Sequence, residues 1–437
     1  MEKQLLKSHL VESQLARQDK ELIWHPYTQH QIDDCPIPIA SATGAYLFSE
    51  RGECYIDAIS SWWSNLHGHA HPHIAEKIAQ QARTLEHVMF ANYTHAPAVE
   101  LAERLQAILP SGFAKFFYSD NGSTAIEAAL KIALQYWHNT HPETKKTTIV
   151  AFEGAFHGDT FGAMSIAGRS PFNQPFWPLL FEVVSIPPPT EKNREKSIQD
   201  MQAVLDKGQV ACFIFEPVIQ GANGMLPHLP EGLDQLMRMC RAHDVLLIAD
   251  EVMTGFGRTG PLFACHHLTE TPDMICLSKG LTGGALPLAL TVCSEKVYAN
   301  FLSQERCKAL LHGHTFTANP LGCAAACASL DLLLTPACTA QRDFIQEAHR
   351  SFQEKHRGNP AWQRCDVVGT ILSLEYASPE QGGYFNGMRD KLMRFFTEKR
   401  LVLRPLGNTV HVVPPYCIQA EDLQCIYQAL EESLDLI

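Results

Sequence analysis

No stretch of this 437-residue chain approaches the ~18 consecutive apolar residues that a membrane-spanning helix requires. The opening residues, Met1 through Glu21, stay mixed and charged and lack the apolar core of a signal peptide. The chain therefore reads as soluble and cytoplasmic, with no membrane partner. Positive charge is also scarce. The 35 Lys and Arg residues against 47 Asp and Glu leave a net charge of −12, and such a surface repels phosphate backbones. Nucleic acid is accordingly not expected as a partner, and any anionic ligand must be held by a local positive site. The Gly-x-x-x-x-Gly-Lys-Ser/Thr loop of P-loop nucleotide enzymes is missing, as are internal repeats and low-complexity segments. Fourteen cysteines are present, yet no two form a Cys-x-x-Cys pair. Most stand in apolar runs (Cys212, Cys276, Cys293, Cys323), where a free thiol behaves as a small hydrophobe, as in a reducing compartment.

What is present is ordinary for a globular protein: 46% hydrophobic and 19% charged residues, in a chain long enough to need neither disulfide nor metal. Residues 1–22 read as a short amphipathic helix, and residues 34–60 carry turn and strand signals around Gly44 and Gly52. From residue 98 to 330 the texture is α/β. Helix-like stretches at 98–109, 124–137 and 232–243 alternate with apolar runs at 148–152, 211–215, 245–249 and 274–277. Such near-continuous apolar runs predict strands of a mostly parallel sheet covered on both faces. The run 286–292 follows too closely for a helical crossover and is expected to pair antiparallel. Beyond Pro336 a polar helix at 339–356, strands at 370–375 and 409–413 and a closing helix at 420–434 are predicted. The expected division is a large domain at 66–335 and a small α+β domain built from both termini, 1–65 and 336–437.

Residues 255–260, Gly-Phe-Gly-Arg-Thr-Gly, match the dinucleotide fingerprint in form, but Pro261 follows at once where a helix should begin, which argues against a nicotinamide site. A better anion site is Ser119-Asp120-Asn121-Gly122-Ser123-Thr124, which leads straight into a helix and leaves amides free at its positive end. A plain N-cap at Ser123 is the alternative. The run 245–249 ends in Asp250-Glu251 and the run 274–277 in Ser278-Lys279-Gly280, and groups just past parallel strand ends line the ligand crevice. Lys279 could otherwise be a surface lysine, and Phe156, after the strand at 148–152, a core residue. Together, however, a strand-end amine, a strand-end carboxylate and an anion cradle suit pyridoxal 5′-phosphate. Its aldehyde needs an amine, its ring nitrogen a carboxylate, its phosphate amide donors and its flat ring an apolar cover such as Phe156.

At these residues the chain resembles the class III pyridoxal-phosphate aminotransferases. The marks are Asn121-Gly122-Ser123, Phe156-His157-Gly158, Glu216-Pro217, Asp250-Glu251-Val252 through Gly260, and Ser278-Lys279-Gly280. The resemblance implies fold type I, with a seven-stranded, mostly parallel sheet, and a homodimer with shared active sites. It implies that Lys279 holds the cofactor and shuttles the proton, that Asp250 pairs with the ring nitrogen, and that Phe156 and Val252 sandwich the ring. Gly122 and Ser123 would bind the phosphate with Thr315 from the other subunit, Gly313 and His314 lying beside it. Further marks within the family are Trp24-His25-Pro26-Tyr27-Thr28, Ser60-Ser61-Trp62-Trp63, Asp159, His312-Gly313-His314-Thr315 and Arg404-Pro405. They imply 8-amino-7-oxononanoate, a biotin precursor, as acceptor, with S-adenosylmethionine or else lysine as amino donor. Tyr27, Trp62, Trp63, Phe156, Asp159, Lys279 and Gly313 would line the substrate site, and Arg404 would grip the acceptor's carboxylate. Outside the resemblance, Arg404 reads as a surface ion pair and the two tryptophans as core. Another ω-amine transaminase, or a retired relative acting as a binding protein, are the rival functions. The alternation His67, His69, His71, His73 could suggest a metal site, but Gly68, Ala70 and Pro72 interrupt it, and no metal is expected.

Overall fold

A computed structural model describes residues 13–378 and 386–436. The apolar runs form the middle of one seven-stranded sheet. Its strands are β1 (Phe113–Ser119), β2 (Thr148–Phe152), β3 (Val184–Ile186), β4 (Val210–Phe215), β5 (Leu246–Asp250), β6 (Met274–Leu277) and β7 (Ala289–Ser294). Across the sheet they run β1-β7-β6-β5-β4-β2-β3. Only β7 opposes its neighbours, pairing antiparallel with both β6 and β1, as the short connection from β6 requires. The other pairings are parallel.

Every residue of β4, β5 and β6 is buried, because alternate side chains enter two different cores. Ile248, Ile214 and Cys276 pack with the helix Gly122–Thr140 through Ile126, Ala129 and Ala133. Leu247, Phe213 and Ile275 face the opposite layer, with Leu233, Leu236 and Met237 of the helix Pro230–Ala242 and Leu101 and Leu105 of the helix Ala96–Gln106.

Two strands escape the hydrophobic pattern, and both lie at the sheet edges. β1 is interrupted by Lys115, a charge that an edge tolerates, and β3 is three residues long before Pro187. Smaller sheets flank the large one. Ile39–Thr43, Tyr46–Ser49 and Cys54–Asp57 form a sheet that Leu401–Val402 completes in parallel register, Leu401 opposite Ile56 and Val402 opposite Asp57. Trp362–Val368, Ile371–Tyr376 and Thr409–Val412 form another. The polar helix is observed as Pro336–Lys355 and the closing helix as Ala420–Glu432. Of the N-terminal helix, Gln14–Leu22 is formed and capped by Ser13, while residues 1–12 lie outside the described residues. Among the described residues no single helix is long and apolar enough to cross a membrane; Pro320–Leu333 and Pro336–Lys355 qualify only as a pair, across a 73° bend.

Candidate active site

Asp250 is the last residue of β5 and pairs across to Cys276 of β6, so the chain leaving β6 delivers Lys279 to the same end of the sheet. Lys279 itself has φ +44, a left-handed conformation that a long side chain adopts only where its surroundings impose it. Ser278, whose hydroxyl donates to the Leu288 carbonyl at 2.9 Å, secures the preceding residue. The Lys279 ammonium lies 4.4 Å from the ring centroid of Trp63. Burial pulls its pKa down to about 8, against the opposing charges of Asp250 and Glu216 and with help from Arg258.

The buried Asp250 carboxylate accepts from the Val252 amide at 3.0 Å and lies 2.6 Å from Nδ1 of His157. His157 is wholly enclosed, and its Nε2 has no partner among the described residues. Burial works against charging this ring, but the hydrogen bond and charge of Asp250, with Glu216 beyond, outweigh it and raise its pKa. Glu216 stands one residue past β4. Its carboxylate accepts from the amides of Gly221 at 2.9 Å and Phe156 at 3.3 Å. Burial pushes its pKa up to about 7; His157 and both amides oppose that rise, while Asp250 adds to it.

The third component is the start of the helix Gly122–Thr140. Asn121 is its cap: the side chain accepts from the Thr124 amide at 3.1 Å while the Thr124 hydroxyl accepts from the Asn121 amide at 3.2 Å. The cap alternative considered for Ser123 is thus filled by Asn121. The amides of Gly122 and Ser123 meet no acceptor within the chain among the described residues. Glycine is demanded on both sides of this cradle. A Cβ at Gly122 would approach Val252 Cγ1 to 2.8 Å, and one at Gly158, where φ is +128, would approach Ser123 Oγ to 2.0 Å. The helix start, the turn after Asp250 and the segment Phe156-His157-Gly158 are therefore in direct contact. Glu127, one turn along the helix, accepts from the amides of Gly162 (2.8 Å) and Ala163 (3.3 Å) and fastens the helix Phe161–Ile166 to it. An amine, a carboxylate backed by an imidazole, and free amides at a positive helix end fit the aldehyde, ring nitrogen and phosphate of pyridoxal phosphate.

A second cluster is more exposed. The Tyr27 hydroxyl donates to Asp159, the Tyr27 ring lies 5.8 Å from that of Trp62, and the Arg404 guanidinium sits 5.3 Å over Trp62. Arg404 also donates to the Tyr27 carbonyl at 3.4 Å. Tyr27, Trp62, Asp159 and Arg404 thus come together. Trp63 is placed differently from Trp62: it is 6% exposed against 43%, and its ring lies against the Lys279 ammonium. Gly313 and Thr315 are exposed, on a loop that reaches the cradle helix through Lys131 and His312 at 3.3 Å and through Asp120 and His314 at 3.9 Å.

Residues 255–260 open no helix and form no phosphate loop. Arg258 there is fully buried, donating to the carbonyls of Pro414 at 2.8 Å and Asn65 at 3.3 Å and lying 5.0 Å from the Tyr416 ring. The histidines of the alternating run take separate partners: His67 Ser329, His69 Asp57 and His73 Asp331. Among the described residues no three His, Cys, Asp or Glu side chains gather as metal ligands. The sequence alone assigns no role to Glu216 or His157, although Glu216 carries the same signal as Asp250, an acid at the end of an apolar run.

Comparison with known proteins agrees with this arrangement. The family described as aminotransferase class-III matches residues 27–434. The adenosylmethionine-8-amino-7-oxononanoate aminotransferase of Synechococcus elongatus is 47% identical over 423 residues, 95% of this chain and 99% of that protein. The enzyme of the same name from Methanocaldococcus jannaschii is 35% identical over 455 residues, 96% of this chain and 97% of its own. The crystal structure bearing that name from the same organism superposes with a TM-score of 0.91 at 34% identity, covering 96% of this chain and 98% of the other. An omega transaminase from Pseudomonas jessenii in complex with PMP superposes with a TM-score of 0.90 at 25% identity, covering 97% and 98%.

Proposed function

The chain belongs to the class III aminotransferase family, and from that premise we propose that it transfers an amino group from S-adenosylmethionine to 8-amino-7-oxononanoate. The product would be 7,8-diaminononanoate, and the enzyme would serve biotin biosynthesis in the cytoplasm. The observation that carries this reading is the meeting of Lys279, Asp250 and the Gly122–Ser123 amides at one end of the sheet, in a chain whose relatives bear the name of that reaction. The family depends on pyridoxal phosphate, which when bound draws electrons from the reacting carbon.

The chain's own residues then divide the work. Lys279 would hold the cofactor and afterwards, as a free amine with a pKa near 8, take up and return the substrate proton. Asp250, oriented by His157, would keep the proton on the ring nitrogen. Phe156 and Val252 would cover the two ring faces. Gly122 and Ser123 would receive the phosphate, with Thr315 of a second copy and Gly313 and His314 beside it. Tyr27, Trp62 and Asp159 would line the acceptor side, and Arg404 would pair with its carboxylate, a charged hydrogen bond of about 1.5–3 kcal/mol. The homodimer is supported by apolar exposure on this loop: Leu311 and Phe316 are exposed on either side of Thr315 in the sequence, and the Phe316 ring lies 5.3 Å from His87. The pairing of Leu401–Val402 with Cys54–Asp57 supports assigning 1–65 and 336–437 to one small domain and 66–335 to the large one.

The test is spectroscopic. The purified protein should turn yellow with pyridoxal phosphate, lose that colour with S-adenosylmethionine and regain it with 8-amino-7-oxononanoate. Bleaching by lysine instead of S-adenosylmethionine would change the donor. Lys279→Ala should lack the absorbance band of the lysine-bound cofactor. Asp250→Asn should colour yet turn over at least about a hundredfold more slowly, and near-normal turnover would remove Asp250 from its role.

A further inference from the structure

Trp63 is held in place from several directions. Its indole N–H donates to Nε2 of His411 at 3.0 Å, and the two rings meet edge to face with centroids 5.5 Å apart. Its amide donates to the Ile59 carbonyl at 2.9 Å. The turn that carries it is strained, with Ser60, Ser61 and Trp63 all at positive φ (51°, 59° and 63°). That turn is stapled by the Asp57 carboxylate, which accepts from the Ser61 amide at 2.7 Å, and by the Ser60 hydroxyl, which donates to the Val413 carbonyl at 2.8 Å. So much restraint is spent on one result: the ring face of Trp63 lies 4.4 Å from the Lys279 ammonium.

We propose that Trp63 is a positioning residue for Lys279, held by His411 so that its ring receives the lysine ammonium whenever that amine is not bonded to the cofactor. The inference rests on the reading of Lys279 as the cofactor-bearing lysine. A carboxylate at this place would bind the ammonium strongly and hold its proton, whereas an aromatic face attracts it more weakly and without a counter-charge. His411 suits the task because it is fully buried, and burial drives its pKa down to about 4, so the ring is neutral and can accept at Nε2. Its proton then resides on Nδ1, which has no partner among the described residues. A buried donor left without a partner costs stability and marks the Nε2 contact as the one that is kept. The charges facing Lys279 are Asp250 at the end of β5, Glu216 after β4 and Arg258 in the turn beyond β5. On the sheet of His411, Ser373 lies opposite, and Arg364 pairs with Asp366 and Glu375.

The experiment follows the titration of Lys279 directly. The full-length protein, freed of cofactor, is labelled with an amine-reactive reagent across about pH 6 to 10, a range spanning lysine values lowered by burial. Mass spectrometry of the Lys279 peptide gives the midpoint. His411→Leu should lower that midpoint by about half a unit to one unit, since the indole is released and the ammonium loses its aromatic partner. His411→Gln, which can still accept from the indole, should restore it. In a Trp63→Phe background, which has no N–H to anchor, His411→Leu should have no further effect. Should His411→Leu fail to fold, Trp63→Phe alone must show the downward shift. An unchanged midpoint in His411→Leu or Trp63→Phe, or a His411→Leu shift that persists without the indole N–H, overturns the proposal. Because labelling needs no cofactor, that outcome is separate from a wild-type protein that fails to colour with pyridoxal phosphate, which overturns the assignment of Lys279 and this inference with it.

Discussion

Glu216 and Asp250 occupy equivalent places, just past or at the ends of adjacent strands, but their surroundings differ. Asp250 has an imidazole at 2.6 Å, whereas Glu216 rests on two amides, and its burial raises its pKa to about 7. The folded protein therefore holds the Glu216 proton more tightly than the unfolded chain, whose carboxyl titrates at the ordinary 4.5. The stability this adds is complete below pH 4.5 and disappears as pH rises through about 7, a span worth roughly 3 kcal/mol. Glu216→Gln removes that dependence. Denaturant titrations of wild type and variant should show the variant gaining relative stability from pH 5 to pH 8, and parallel pH profiles would contradict the raised value. Asp250 and Lys279 were legible in the sequence because a charged residue ending an apolar run stands out. The tie between Trp63 and His411 was not, because nothing local signals a contact across 348 positions.

At the scale of elements, the cradle depends on a missing side chain. Gly158 combines a φ of +128 with a Cβ position that would press on Ser123 Oγ. Gly158→Ala should cost about 1–3 kcal/mol through backbone strain alone. Because the displaced atom belongs to the helix start that would receive the phosphate, cofactor affinity should fall with it. Equilibrium unfolding and a cofactor titration measure the two losses, and a variant with wild-type affinity would separate Ser123 from the cofactor. The central strands were readable since burial on both faces writes an uninterrupted apolar run. The edge strands β1 and β3 were not, since an edge neither needs nor shows that pattern. The helix Met388–Glu398 and the strand Trp362–Val368 were likewise unseen, being half-exposed elements whose polar residues break the period.

For the molecule as a whole, the proposed dimer is tested at the exposed loop bearing Gly313 and Thr315. Phe316, 58% exposed beside His87, should be covered in a dimer. Light scattering should give twice the 48.7 kDa of one chain for the wild type, and Phe316→Asp should shift the mass toward a single chain and weaken retention of colour. A wild type that elutes as one chain would remove Thr315 from the phosphate site. The expectation of one small domain drawn from both termini came from the change of texture beyond Pro336, whereas the two-residue strand Leu401–Val402 that joins the two parts leaves no trace in composition. That strand has a consequence for biogenesis. Cys54–Asp57 leaves the ribosome well before Leu401–Val402, the strand that borders it. The nascent chain must therefore carry an open sheet margin while the residues between the two strands are made, until Leu401–Val402 arrives to close it.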